Sequence, residues 1–345
     1  MLSILGKHML QNNFLRFYLI VLIGLAACTL SGAGPHDHAL STLSAGNHTL
    51  FLEHDGRSRS YIVHLPPQVD SGQKLPLVLN FHGGGGHAAN QHKYAMMDNT
   101  ADDKGFVVIY PNGTGRFKNR LLTWNAGKCC GHAMNEKVND VGFVIALLDD
   151  ISQKTNIDRK RVYATGLSNG AMMSYRLAVE ASDHIAAIAP VAGAMMVAEF
   201  TPKRPLPVMH IHSVDDPRAL YGGGLAPPFP FTNNRVNHAS VESTIEQWVV
   251  FNQCSPNPIV SETIKGQEGS EDEGHTATKY TYAPVRAEEG AAVILWKLSG
   301  AGHVWPGGKR KYFVRLLGPG TNIINANEEM WRFFSKYSLS GRNMD

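Results

Sequence analysis

The sequence predicts an α/β fold built on a mostly parallel sheet, with helices on both faces and an antiparallel hairpin at its start. Three observations lead there. Short β-branched and aromatic runs alternate with helix-length segments, the pattern of strand–helix–strand units. Residues 75–81 are almost continuously apolar, as suits a strand covered on both sides. Residues 161–165 form a short β-branched and aromatic run, which passes through Gly166-Leu167-Ser168-Asn169-Gly170 into a helix-forming stretch, 171–180, free of Gly and Pro.

Composition fits one full core. The 345 residues are 43% hydrophobic and 18% charged, with a net charge of +3. That charge is too small to suggest a nucleic-acid partner, and no basic and aromatic ladder accompanies it.

Taken in order, the elements begin after a leader. Residues 17–27 are apolar, follow Arg16 and end in small side chains, a secretory signal pattern. Leu25-Ala26-Ala27-Cys28 reads as a lipobox, with Cys28 lipidated and the membrane reached through that anchor alone. Translation from Met9 would leave a more usual signal length. Residues 29–46 then read as a flexible tether, and 47–345 as a single catalytic domain.

Residues 49–52 and 60–65 flank Asp55-Gly56, a hairpin with a few extra turn residues. Strand 75–81 is followed by a helix at 92–104, stopped by Gly105, and a strand at 106–110. Residues 141–151 form an apolar helix with Asn139 or Asp140 as its N-cap. Strands follow at 185–189 and 207–212, then a helix at 241–251. The acidic, Gly-bearing segment 262–274 reads as a surface loop. A strand at 291–298 and a helix at 326–337, with Met330, Phe333 and Phe334 facing inward, complete the chain.

The chemistry centres on Ser168. G-x-S-x-G between a strand and a helix is a tight turn that lifts a serine hydroxyl above the sheet edge. A serine needs a base to take its proton, and the base needs a carboxylate to hold its tautomer. In this architecture the chain order is Ser, acid, His. Asp215 and Asp216 lie just beyond the strand ending near His212, and both are candidates. His303 sits in a Gly-rich loop beyond a later strand, where it has little to pack against. The run His82-Gly83-Gly84-Gly85-Gly86 follows strand 75–81 and can aim backbone N–H groups at one point. Gly84 and Gly85, with the N–H of Asn169, are the expected oxyanion hole. His82, His87 and His92 straddle a loop and a helix start and do not read as a metal site. Neither metal nor cofactor is expected.

These motifs, with Trp124 to Gly131, Ile211 to Pro217 and Gly302 to Gly308, resemble the secreted polyhydroxybutyrate depolymerase and feruloyl esterase family of α/β-hydrolases. The resemblance runs from about residue 48 to 338 and implies the α/β-hydrolase fold. It selects Asp216, immediately before Pro217, so that Ser168, Asp216 and His303 form the implied triad. One departure stands out: the family usually has Gly after the strand histidine, and this chain has Ser213.

With Cys28 lipidated, Cys129, Cys130 and Cys254 remain. In an oxidising compartment Cys130, or alternatively Cys129, is expected to bridge to Cys254, a vicinal bridge or a free thiol being the alternatives. Trp124, Tyr221 and Trp305 are candidates for an aromatic wall at the cleft. Expected substrates are esters: hydroxyalkanoate polymer or oligomers first, phenolic sugar esters such as feruloyl esters second. The expected location is outside the inner membrane, anchored on the outer membrane or cell surface, or else fully extracellular. A peptidase usually needs a further gating domain on this fold, which the sequence does not suggest. A catalytically silent surface lipoprotein that binds a ligand in the same cleft is the contrasting reading. No protein partner is implied.

Overall fold

The computed structural model describes residues 43–117, 120–229, 233–309, 311, 313–339 and 341–342. Cys28 and the leader therefore lie outside the described residues, as does most of the tether. The folded body begins before residue 47. Leu43 packs on the core and its N–H donates to the Lys154 carbonyl (3.2 Å), and Gly46 already opens the first strand.

Strands β1 (Gly46–His54) and β2 (Arg57–Leu65) pair in register up to His54 opposite Arg57. The turn is thus the two residues Asp55 and Gly56 alone, tighter than expected. Both have positive φ (53° and 66°), which matches the twist of an antiparallel pair. Strand β3 (Leu75–Phe81) is buried along its whole length. The helix expected at 92–104 is two: α1 (Ala88–Ala95) and α2 (Met97–Lys104), broken at Met96, whose φ is 54°. Strand β4 (Val107–Pro111), α3 (Gly131–Asn135) and α4 (Asp140–Ser152) follow. Asn139 is the cap of α4, its side chain accepting the Gly142 N–H (2.9 Å), while Asp140 turns inward and is fully buried. The chain continues through β5 (Ile157–Leu167), α5 (Asn169–Glu180), β6 (Ala187–Val191) and β7 (Val208–Ser213). A short pair, β8 (Gly224–Leu225) and β9 (Asn237–His238), precedes α6 (Val241–Phe251). Then come β10 (Ile259–Lys265), β11 (Thr276–Tyr282), β12 (Val293–Ser299), α7 (Val314–Leu317) and α8 (Ala326–Phe334).

Among the described residues ten strands form one sheet, in the order β1-β2-β4-β3-β5-β6-β7-β12-β11-β10. Its middle, β4 to β12, is parallel, and both margins are antiparallel. The segment expected to be an acidic loop in fact begins within β10. That strand is an edge, exposed at almost every position and carrying Glu262 and Lys265. Charge on an edge blocks pairing with other chains but erases the apolar alternation by which a strand is recognised.

The strand period of two divides the core. Leu75, Leu77, Leu79 and Phe81 of β3 face one cluster, with Phe143 and Leu147 of α4 and Trp248 of α6. Val78 and Tyr163 face the other, with Met330, Phe333 and Phe334 of α8. The Tyr163 and Phe334 rings stack there at 4.6 Å. Each fully buried aliphatic side chain contributes about 1.5–3 kcal/mol, so the parallel strands fix the frame from which the loops project.

Candidate active site

Ser168 occupies the turn between β5 and α5 with φ 59° and ψ −118°, a conformation that non-glycine residues adopt only when their surroundings impose it. Its N–H donates to Val191 (2.9 Å), tying the turn to β6. The flanking glycines let the end of β3 lie against it. A Cβ on Gly170 would stand 2.3 Å from the Phe81 carbonyl oxygen, and one on Gly166 2.6 Å from the same atom. Ser168 thus precedes the N-terminus of α5, where free N–H groups favour negative charge.

Asp216 follows β7 and His303 follows β12, so both project from the same sheet edge as Ser168. His303 Nδ1 is 2.7 Å from Asp216 Oδ2, with both residues buried. Asp216 Oδ1 accepts the N–H groups of Arg218 (2.7 Å) and Ala219 (2.8 Å). Burial alone would raise the carboxyl's pKa. The facing His303, with hydrogen bonds from His212 and His303, outweighs that and holds it well below the usual carboxylate range. Among the described residues no hydrogen bond joins Ser168 to His303. Such contacts often tighten only when substrate is bound.

Asp215 does something else. Its exposed carboxylate accepts the Gly300 N–H (2.7 Å). Ser213, the departure from the family pattern, donates its hydroxyl to Ala301 and accepts the Asp215 N–H (3.2 Å). Both residues therefore strap the acid loop to the histidine loop.

Of the glycine run, the Gly85 N–H is already engaged by the Leu122 carbonyl (2.8 Å), which removes Gly85 from the expected oxyanion donors. Gly84 remains beside the elbow: a Cβ there would lie 3.7 Å from Asn169 Cβ. His82 anchors the run. Its Nδ1–H donates to the Gly83 carbonyl (2.8 Å) and its Nε2 accepts the Gly113 N–H (3.0 Å), which defines a neutral tautomer. Burial, outweighing the hydrogen bond to Gly83, pushes this imidazole down to about 4 from an ordinary 6.5. The unfolded chain then binds a proton near pH 6.5 that the folded chain refuses until about pH 4. The resulting stability, up to about 3 kcal/mol, is full above pH 6.5 and is lost as pH falls through that window. Urea midpoints measured at pH 7.5 and 4.5 should therefore drop less in His82→Gln than in the parent. An equal drop in both would refute the assignment.

The three aromatic residues expected at the cleft wall are structural. Trp124 is fully buried. Its Nε1–H donates to the His82 carbonyl (3.0 Å), and its own backbone is gripped by the Asn169 side chain (2.7 and 3.0 Å). Trp305 is buried in the second core, with Nε1–H on Asn327 (3.0 Å). Tyr221 packs in the first core and donates its hydroxyl to Glu242 (2.5 Å). Once buried, their indole and phenol groups need hydrogen-bond partners, and the scaffold supplies them. Exposed apolar side chains stand at the rim instead. Positions 84 and 85 would place a Cβ 3.9 Å from Phe229 and from Leu121, which are 36% and 63% exposed.

Behind the loop bearing Trp124, Arg59 pairs with Asp140 (2.8 Å), whose other oxygen accepts the Asn125 N–H (2.9 Å). Burial raises the Asp140 pKa and lowers that of Arg59, each against the sense of the pairing, so desolvation outweighs the attraction. Such a pair is costly to break. Arg59→Ala should lose about 3–5 kcal/mol in urea unfolding, because an unpaired buried carboxylate is left behind. A loss below 1 kcal/mol would show that water reaches Asp140.

The expected bridge from Cys130 or Cys129 to Cys254 is not formed. Cys129 pairs with Cys130, in a small cluster with Met172 and Met196. Cys254 belongs to the first core, its thiol donating to Ala291 (3.1 Å) and pushed up to about 11 by burial. Segregation into separate clusters is the physical reason. Among the described residues no helix is long and apolar enough to cross a membrane.

Residues 59–246, more than half of the chain, match the family model described as Esterase PHB depolymerase. The chain belongs to that family. Among relatives of this esterase, "Putative esterase NocK" of Nocardia uniformis is 29% identical over 76% of this chain and 75% of its own length. The "Bifunctional acetylxylan esterase/xylanase XynS20E" of Neocallimastix patriciarum is 25% identical over 84% of this chain, which spans 35% of that protein. "Poly(3-hydroxyalkanoate) depolymerase C" of Paucimonas lemoignei is 27% identical over 59% of this chain and 51% of its own. The esterase has the α/β-hydrolase architecture that its motifs imply.

Two features of the site lay beyond sequence reasoning. The inward Asp140 reads from sequence as a possible helix cap, and His212 as the end of a strand. The spacing His210-Ile211-His212 was the available signal, since it places both imidazoles on one face of β7.

Proposed function

We propose that this esterase cleaves carboxylic esters through an acyl-Ser168 intermediate. His303 takes the Ser168 proton as the hydroxyl attacks the ester carbonyl, then returns it to the leaving alcohol. Asp216 holds the imidazole with Nδ1 protonated and stabilises the cation that forms. The N–H groups of Gly84 and Asn169 receive the oxyanion, each worth roughly 3–4 kcal/mol in the transition state. Water repeats the sequence on the acyl-enzyme. The carrying observation is the buried Asp216–His303 pair on the sheet edge that also bears the strained Ser168.

Hydroxyalkanoate polymer or its oligomers are the proposed substrates. The exposed Leu121, Phe229, Phe313 and Leu316 suit an aliphatic polyester. We further propose export with lipidation at Cys28. A palmitate analogue should label the parent and not Cys28→Ala, and equal labelling would remove the anchor from the scheme. For the substrate, hydroxybutyrate trimer and methyl ferulate are compared at equal concentration. A kcat/KM favouring the trimer at least tenfold is expected, and preference for the ferulate would reassign the enzyme to phenolic esters.

A further inference from the structure

The triad acid is held by more than its own loop. Asp216 Oδ2 receives His303 from one side, and from the other His212 Nε2 approaches to 3.2 Å. The same nitrogen is 2.8 Å from the Ala219 carbonyl. His212 Nδ1 meets His210 Nε2 at 3.0 Å, and His210 Nδ1 meets the Tyr175 hydroxyl at 2.9 Å. Tyr175, His210 and His212 are at most 1% exposed. This makes one line of hydrogen bonds from the middle of α5, across two residues of β7, to the Ala219 carbonyl, with the Asp216 carboxylate 3.2 Å from the same terminal nitrogen.

Its polarity follows from its ends. The Ala219 carbonyl and the Asp216 carboxylate can only accept, so His212 carries its proton on Nε2. In the neutral ring Nδ1 must then accept, which places the His210 proton on Nε2. His210 Nδ1 accepts in turn, and the donor is the Tyr175 hydroxyl. With both rings neutral each group has one assignment, and reversing a single bond would set two acceptors or two donors against each other in a site closed to water.

We propose that His212, locked in this tautomer by His210 and Tyr175, is a positioning residue that fixes the Asp216 carboxylate for its bond to His303. No proton needs to travel along the line. Two loop N–H groups hold Oδ1, while His212 fixes Oδ2, the oxygen shared with His303. Without that donor the carboxylate can rotate, and the imidazole loses its aim at Ser168. This inference rests on the triad proposed above.

The test has two arms. In the resting parent enzyme, nitrogen-15 imidazole spectra should show His210 and His212 as neutral rings protonated on Nε2. A proton on Nδ1 of either would overturn the proposal, whatever the activity. In kinetics on p-nitrophenyl butyrate, His212→Leu should lower kcat about 10- to 100-fold with KM within about twofold, the loss of one hydrogen bond to a charged group. His212→Gln, which restores an N–H donor, should recover most of that loss. Tyr175→Phe, which deletes one oxygen at the far end, should reduce kcat a few-fold and shift the His210 spectrum. A folded His212→Leu with parental kcat would refute the role. If that variant does not fold, the parent spectrum and Tyr175→Phe decide it. Should Ser168→Ala retain parental activity, the triad reading fails instead, and the spectra still report on the line.

Discussion

Ser168→Ala should abolish ester turnover, with kcat reduced on the order of 10⁶-fold and KM little changed. The expectation follows from what the elbow is built for. The alanine keeps the backbone and leaves Gly84 and Asn169 in place, so binding survives while the bond-forming atom is gone. Residual turnover of 10³–10⁴ over water is the floor set by the oxyanion donors and binding alone. The conformation of this residue adds a second reading. Ser168 is held at φ 59° and ψ −118°, where a Cβ costs energy and glycine does not. Ser168→Gly should therefore exceed Ser168→Ala in stability by about 1 kcal/mol or more in urea unfolding. Activity within tenfold of the parent in the alanine variant would end the serine mechanism.

The acid is expected to be nearly as sensitive, and its neighbour insensitive. Asp216→Asn should cost about 10⁴-fold in kcat, because an amide in that place favours the wrong imidazole tautomer without moving the ring. Asp215→Asn should stay within a few-fold, since the amide oxygen can still accept the Gly300 N–H. The adjacent pair makes a sharp comparison: same chemistry, same loop, one side chain buried on His303 and the other exposed. The reverse ranking would show that the loop rearranges on binding substrate.

What could be read ahead of the structure divides along a physical line. The parallel strands were legible because burial on both faces leaves long apolar runs, and Ser168 because its turn demands glycine on each side. His303 was legible from its place in a Gly-rich loop beyond a late strand. The edge strand β10 was not, because charge on its exposed positions mimics a loop. Trp124, Tyr221 and Trp305 misled for a related reason: an aromatic near a motif looks the same whether it lines a cleft or props up the loop behind it. Only the hydrogen-bond partners, the His82 carbonyl, Glu242 and Asn327, distinguish the two. The cysteine pairing depended on which core each sulfur enters, and spacing along the chain does not report that.

The straps made by Ser213 and Asp215 have a mechanical meaning. They tie the loops of the proposed acid and base together, as the grip of Asn169 on Trp124 and of Trp124 on His82 ties the proposed nucleophile to its proposed anion cradle. On the proposed mechanism these are two prefabricated halves, whose rate is expected to depend on how they align. Changes far from either half that slide β6 against β7 would then detune catalysis while leaving every local bond intact.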